Sequence, residues 1–307
     1  MWQDQGAITD YLGVKVEPTP DGKIKLYQPQ LIDDIIAQVG FNDRTKAKAT
    51  PAPSSTILNR DLDGQPFEEK WEYRSVVGKL NFLEKSTRPD IAYATHQVAR
   101  FSAEPRKSHA DAIKHLVRYL VGTKREGIIF DPNQSASFET YVDADFSGNW
   151  DRSSAHYDPS TARSRSGHVV TFAGVPIIWY SKLQGEIAQS STESEYISLS
   201  EAAKSTICLM NLLEEAIARG IPIKMKPADV HCKLFEDNSG AYEMATTPKF
   251  RPRTKHLNVR YHFFRSYVES GKLNVVPVAS DDNISDMLTK PTVKELFLKF
   301  RYRLIGF

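Results

Sequence analysis

Residues 11 to 28, YLGVKVEPTPDGKIKLYQ, hold two β-rich runs flanking Pro20-Asp21-Gly22, which predicts a hairpin. QLIDDIIAQVGF then repeats apolar residues at helical spacing and stops near Gly40. Residues 44 to 68 are rich in Pro, Ser, Thr and charge and show no period, so a long loop is expected. Helices are expected over about 71 to 86, ending before TRPD, and about 108 to 121, ending at Gly122.

Near residue 130 the pattern changes to strands. FETYVDAD, SGHVVTFAGV and PIIWYSK read as three, the last two joined by a tight Gly-Val-Pro turn. Residues 191 to 219 form a strong helical pattern, with Tyr196, Leu199, Ala203, Met210, Leu213 and Ile217 recurring at spacings of three, four or seven. VHCKLFED is a fourth strand, NSGAYEMA a short helix, HLNVRYHFFRSYVES another, and KLNVVPVAS a fifth strand. Residues 283 to about 304 form a last helix that Pro291 bends or splits. The order from 137 onward is βββαβααβα.

At 307 residues with 40% hydrophobic content, the chain suits about two domains with a sizeable core. No run approaches the length of a membrane span, and MWQDQGAITD lacks the basic flank and apolar segment of a secretory signal. Cys208 and Cys232 fall in apolar patterns and read as reduced core residues of an intracellular protein. Net charge is only +2, yet Lys249, Arg251, Arg253, Lys255, Arg260, Arg265 and Lys272 face one acid, Glu269. That block is either a solvated face or a phosphate-binding stripe.

Acids sit at element ends: Asp143 at the end of the first strand of this half, Glu195 in the first turn of the long helix, Asp237 at the end of the fourth strand, and Asp286 near the start of the last helix. Singly, each has an ordinary role. Asp143 would guard a sheet edge, Glu195 would complete a capping box with Thr192, Asp237 and Asn238 would cap a helix, and Asp286 would favour a helix N-terminus. Gathered in one pocket they would repel, and an oxygen-only set of this density suits Mg²⁺ or Mn²⁺. Two ions about 4 Å apart clamp the attacking and leaving oxygens of a phosphodiester, which sets the required carboxylate spacing at roughly 4 to 7 Å.

The element order with acids at those places resembles the ribonuclease H fold, and most closely that domain of copia-type LTR retrotransposon Pol polyproteins. YVDADFSG (141–148), RSRSGHVV (163–170), WYSKLQGEIAQSSTESEYISLSEAA (179–203), LFEDNSGA (234–241), RTKHLNVRYHFFR (253–265) and SDMLTK (285–290) carry the likeness. Upstream, YLGVKV, LYQPQLIDDII, YRSVVGKLNFLEKSTRPDIAYA and HLVRYLVGT resemble the reverse transcriptase C-terminus of the same polyprotein. The resemblance covers essentially the whole chain.

It implies an α/β, ribonuclease H-like mixed five-stranded sheet with flanking helices over 131–307. A mainly α reverse-transcriptase thumb or connection remnant is implied over 1–130. Asp143, Glu195, Asp237 and Asp286 match the family's four metal-binding and catalytic carboxylates, holding two Mg²⁺ or Mn²⁺ ions. Asp143 is preferred to Asp145 because it follows the aromatic-x pair Tyr141-Val142, and Glu195 to Glu193 because Tyr196, Ile197 and Leu199 follow it. Glu236 precedes Asp237 in a strand and is expected to face away. The implied reaction is two-metal hydrolysis of the RNA strand of an RNA–DNA hybrid, leaving a 3′-hydroxyl and a 5′-phosphate. Ser190, Ser191 and Asn238 would contact the nucleic acid, and Arg251, Arg253, Lys255 and His256 would hold its backbone, with steep salt dependence.

Two departures stand out. The loop before the last helix reads SDDN, without the histidine that some family members carry there, while His256 and His262 lie one element earlier. The upstream half has no Asp-Asp polymerase signature, so this stretch alone is not expected to polymerise. Its implied partners are the hybrid and the palm and fingers of a longer polyprotein, with no membrane, inside the cell in a cytoplasmic virus-like particle or the nucleus. The alternatives are a template–primer binding module without turnover, or part of a longer RNA-directed DNA polymerase.

Overall fold

Gly22 closes the first hairpin with φ +81°, a conformation that glycine adopts without strain, and its amide donates to the Thr19 carbonyl at 3.0 Å. Strands β2 (Val14–Pro18) and β3 (Ile24–Tyr27) pair antiparallel here. The computed structural model describes residues 6, 8–54, 57–152, 155–223, 225–247 and 262–307. β1 (Asp10–Tyr11) and β4 (Ile128–Phe130) extend the hairpin to a four-stranded sheet of order β1-β2-β3-β4. Neither is legible in the sequence, because two or three residues are too few to show a period.

Helices α1 (Pro29–Gln38), α2 (Tyr73–Ser86), α3 (Ala92–Ala99) and α4 (Lys107–Gly122) complete this part of the chain. α1 buries Ile32, Ile35 and Ile36, the stripe that its spacing predicts. α3 has no sequence counterpart. Ala92, Tyr93, Ala94, Thr95, Gln97 and Val98 are all buried, so no polar face marks a helical period.

The second part holds a mixed sheet of order β7-β6-β5-β8-β9. β5 (Phe138–Asp145) pairs antiparallel with β6 (Arg165–Phe172) and parallel with β8 (Cys232–Glu236). β7 (Val175–Leu183) pairs antiparallel with β6, and β9 (Leu273–Pro277) parallel with β8. Ala173 and Gly174 have φ of +51° and +74°, so the β6–β7 hairpin turns there, one residue earlier than the expected Gly174-Val175-Pro176, and Val175 and Pro176 already belong to β7. Helices α5 (Ser191–Ala218), α6 (Ser239–Thr246), α7 (Arg265–Glu269) and α8 (Asp286–Thr289) flank the sheet. This is the ribonuclease H-like α/β architecture.

α5 covers one sheet face, where Phe138, Val142, Cys232 and Leu234 form a buried core with Tyr196, Leu199, Ala203 and Met210. Cys232 is buried as expected, whereas Cys208 is exposed on α5. Strand alternation turns Asp143 to the opposite face, against α8. The sheet approaches α8 closely at Gly167, where an added Cβ would lie 2.5 Å from Thr289 Cγ2.

Pro291 does separate α8 from the last helix, α9 (Lys294–Ile305). The two compact units run to Asn133 plus Val293–Phe307, and from Gln134 to Thr292. This corrects the expected second domain of 131–307, because α9 packs with the first unit. Its Phe297 ring meets Tyr119 edge-on at 5.7 Å, and Arg301 Nη1 donates to the Tyr119 hydroxyl at 3.2 Å. Among the described residues, no helix is long and apolar enough to cross a membrane.

Candidate metal centre

β5 is the middle strand of its sheet, so Asp143 at its end guards no edge. The residue is 2% exposed. Oδ2 accepts from the Thr289 hydroxyl, and Lys290 Nζ stands 3.8 Å from Oδ1. The Asp143 carbonyl accepts from Ser198 Oγ of α5 at 2.8 Å, tying helix to strand at this point. Asn283 Nδ2 donates to the Val142 carbonyl at 2.7 Å, which pins the loop that leads into α8. α8 then presents Asp286, 4% exposed, whose Oδ2 pairs with Lys290 Nζ at 3.1 Å.

On the α5 side, Ser190 caps the helix by accepting from Glu193 N at 3.1 Å, and Glu193 Oε2 accepts from Gln189 N at 2.9 Å. The N-terminal turn is thus closed without Glu195, which is 6% exposed and free of the capping role that Thr192 offered it. Asn238 caps α6 through Ala241 N at 3.0 Å, and Asp237 beside it accepts from Ser280 Oγ at 2.7 Å.

Two groups of three carboxylates result. Asp143, Asp237 and Asp286 each offer one oxygen within 4.8 Å of the others, and so do Glu195, Glu236 and Asp237. Asp237 belongs to both. Glu236 corrects the expectation that it would face away. Alternation does turn it from Asp143, but it turns it onto the same face as Cys232 and Leu234, and α5 lays Glu195 over that face. Asp237 lies just past the strand end and reaches both groups. Asp145 belongs to neither group, and its carboxylate folds back over Gly148.

The electrostatics follow from burial among like charges. Burial and the Asp143 charge push Asp286 up to about 7. Burial and Glu236 raise Glu195 well above the usual carboxylate range, and burial likewise raises Glu236 and Asp143. Asp145 is raised by burial and by Asp143. Burial opposes the Lys290 charge, but Asp143 and Asp286 outweigh it and hold the ammonium group above its ordinary value.

A divalent cation fits this donor set. The candidate ligand atoms are all carboxylate oxygens, and among the described residues Glu195 Oε2, Glu236 Oε2 and Asp286 Oδ1 are buried without a hydrogen-bond partner. Among the described residues, Lys290 is the one cation paired with the cluster.

The other expected contacts divide. Ser190 and Ser191 are exposed at the start of α5, and Asn238 is half-buried as the α6 cap. Arg251, Arg253, Lys255 and His256 lie outside the described residues. His262 bonds the Tyr196 hydroxyl, one residue from Glu195, and burial lowers its pKa. Sequence reasoning missed Glu236, Thr289 and Lys290. SDMLTK was legible as a motif, and Thr289 and Lys290 stand three and four residues after Asp286, one helical turn on.

No protein-family model matches the chain. Similar chains are the retrovirus-related Pol polyprotein from transposon RE1 of Arabidopsis thaliana, 34% identical over 298 residues, and that from transposon TNT 1-94 of Nicotiana tabacum, 32% identical over 301 residues. These alignments cover 97% and 96% of this chain but 19% and 21% of the relatives, so the chain spans about a fifth of their length. Among solved structures, the N-terminal ribonuclease H domain of rv2228c from Mycobacterium tuberculosis, a maltose-binding-protein fusion, covers 54% of this chain and 96% of its own at 13% identity and a TM-score of 0.32. By its similarity along nearly its whole length, the chain belongs to the retrovirus-related Pol polyproteins of copia-type transposons.

Proposed function

We propose that the second unit is a metal-dependent endonuclease that hydrolyses the RNA strand of RNA–DNA hybrids, as part of a longer Pol polyprotein. The observation that carries this reading is the pair of carboxylate triads sharing Asp237, each with ligand oxygens within 4.8 Å. Asp143, Glu195, Asp237 and Asp286 would hold two divalent cations, Mg²⁺ or Mn²⁺. Such cations, when bound, polarise a phosphodiester and activate a water for in-line attack.

The chain's own residues have separable tasks. Thr289 orients the Asp143 carboxylate, and Ser280 orients Asp237. Lys290 offsets part of the charge of Asp143 and Asp286 before any cation binds. The exposed Ser190 and Ser191 at the start of α5 are suited to hydrogen-bond a ribose 2′-hydroxyl, a group that distinguishes RNA from DNA. Arg251, Arg253, Lys255 and His256 supply cationic or ring nitrogen donors for phosphate. The upstream palm and fingers would come from the rest of a polyprotein some five times longer, in keeping with the fraction of its relatives that this chain spans. The setting would be a cytoplasmic virus-like particle or the nucleus.

The test is cleavage of labelled RNA annealed to DNA by the full chain in millimolar Mg²⁺. We expect shortened RNA with 3′-hydroxyl ends, none in EDTA, and a strongly reduced yield with Asp237→Asn. An intact hybrid under these conditions would overturn the nuclease reading.

A further inference from the structure

Glu236 is a carboxylate where the local pattern calls for an apolar residue. It is the last of three inward positions on β8, after Cys232 and Leu234, and its side chain is 1% exposed. Among the described residues only one of its oxygens has a partner: Oε1 accepts from Asn238 N at 3.0 Å. The other, Oε2, is buried with no hydrogen-bond partner among the described residues, and Glu195 Oε2 is in the same state. One oxygen from each of these residues and one from Asp237 lie within 4.8 Å of one another.

Among the described residues no cation is paired directly with Glu195 or Glu236. Lys290 pairs with Asp143 and Asp286 instead. A buried oxygen acceptor with a fixed neighbour and an unused lone pair, facing a second like it, has a positively charged ligand as its natural complement. Three carboxylate oxygens at this spacing match the hard, oxygen-preferring divalent cations.

We infer that Glu236 is a fifth cation ligand, which with Glu195 and Asp237 forms a second subsite for Mg²⁺ or Mn²⁺ beside that of Asp143, Asp237 and Asp286. This rests on the metal-dependent reading above and adds to it a residue outside the four expected carboxylates. In this arrangement the subsites are unequal. The Asp143 subsite already holds an ammonium group, so its cation must compete with Lys290, whereas among the described residues the Glu236 subsite has no such competitor. Asp237, half-exposed at the strand end, joins the two.

The experiment is a Mn²⁺ titration of the full chain, followed by the paramagnetic resonance of free Mn²⁺, with wild type, Glu236→Gln, Glu236→Asp and Asp286→Asn. Glutamine retains the acceptor for the Asn238 amide and the side-chain volume but removes the charge. Wild type should bind two ions. Glu236→Gln should keep one and weaken the other by roughly 10- to 100-fold or more, Glu236→Asp should recover part of that loss, and Asp286→Asn should weaken the opposite ion. Melting in EDTA checks the fold, and Glu236→Gln should melt no lower than wild type.

Two ions bound by Glu236→Gln at wild-type affinity would overturn the assignment and leave the four-carboxylate nuclease reading standing. A Glu236→Gln variant that melts lower in EDTA and loses both ions together would assign Glu236 to the fold and overturn it also. Wild type that binds no Mn²⁺ would overturn both readings.

Discussion

Arg88 in the first unit and Asp143 in the second are both buried charges, 0% and 2% exposed, and their surroundings are opposites. Arg88 donates from Nε and Nη2 to the two Asp90 oxygens at 2.8 and 2.7 Å, and from Nη1 and Nη2 to Thr123 O and Oγ1 at 3.0 and 2.8 Å. Asp90 also accepts from the Tyr119 hydroxyl at 2.5 Å, and the Tyr119 and Phe307 rings each lie 5.4 Å from the guanidinium. All three guanidinium nitrogens have partners. Asp143 instead lies in a set of buried acids with, among the described residues, one lysine, and three oxygens of that set have no hydrogen-bond partner there. A closed network of this kind holds a fold together. An open one strains the metal-free protein and is suited to receive charge from outside.

Three perturbations would break or sharpen that contrast, the largest first. Asp237 serves both triads, so Asp237→Asn should reduce hybrid cleavage by at least about 100-fold, measured as initial rates at saturating Mg²⁺. Arg88→Met should leave Asp90 buried without its counterion and cost about 3–5 kcal/mol, read from urea unfolding of the first unit. In the second unit, removing a charge should do the reverse. Asp143→Asn in EDTA should raise the melting temperature by about 2–4 °C, as expected for about 1 kcal/mol in a domain of this size. A loss of stability there would mean that the acids are internally compensated after all.

The two units should also respond oppositely to pH. Asp286 is raised from 3.8 to about 7, so its folded form holds a proton more tightly than its unfolded form. Stability from this source is full below the unfolded value and is lost as pH rises towards 7, so the metal-free second unit should weaken between about pH 4 and 7. In the first unit, His109 accepts from Arg106 N at 2.9 Å through Nδ1, while Nε2 lies 2.8 Å from the Asn59 carbonyl. That pattern needs a neutral ring, and burial lowers its pKa from 6.5. Its contribution is present above 6.5 and lost as pH falls below it, so the first unit should weaken on acidification. Peptide-resolved hydrogen exchange in EDTA across this range would separate the two slopes.

The sequence shows most of the second unit because its strands and the long α5 keep a clear period, from Tyr196 through Leu199 and Ala203 to Met210. The four acids were legible as element ends. Glu236 was not, because strand alternation says which way a side chain turns but not what lies on that face. Only the packing of α5 shows that Glu195 is there. The short β1 and β4, the all-round buried α3 and the return of α9 to the first unit were also hidden. Each depends on partners far along the chain, such as Tyr119 for Phe297.

On the metal-dependent reading, the acid cluster of the second unit is built around divalent cations rather than balanced within the protein. The most direct test of that reading is the unfolding of the wild-type chain at neutral pH in EDTA against excess Mn²⁺, followed in peptides of residues 134–292. The expected result is a stabilisation confined to this unit, about 2.7 kcal/mol when the ion is at 100 times its dissociation constant. Equal stability with and without Mn²⁺ would contradict it.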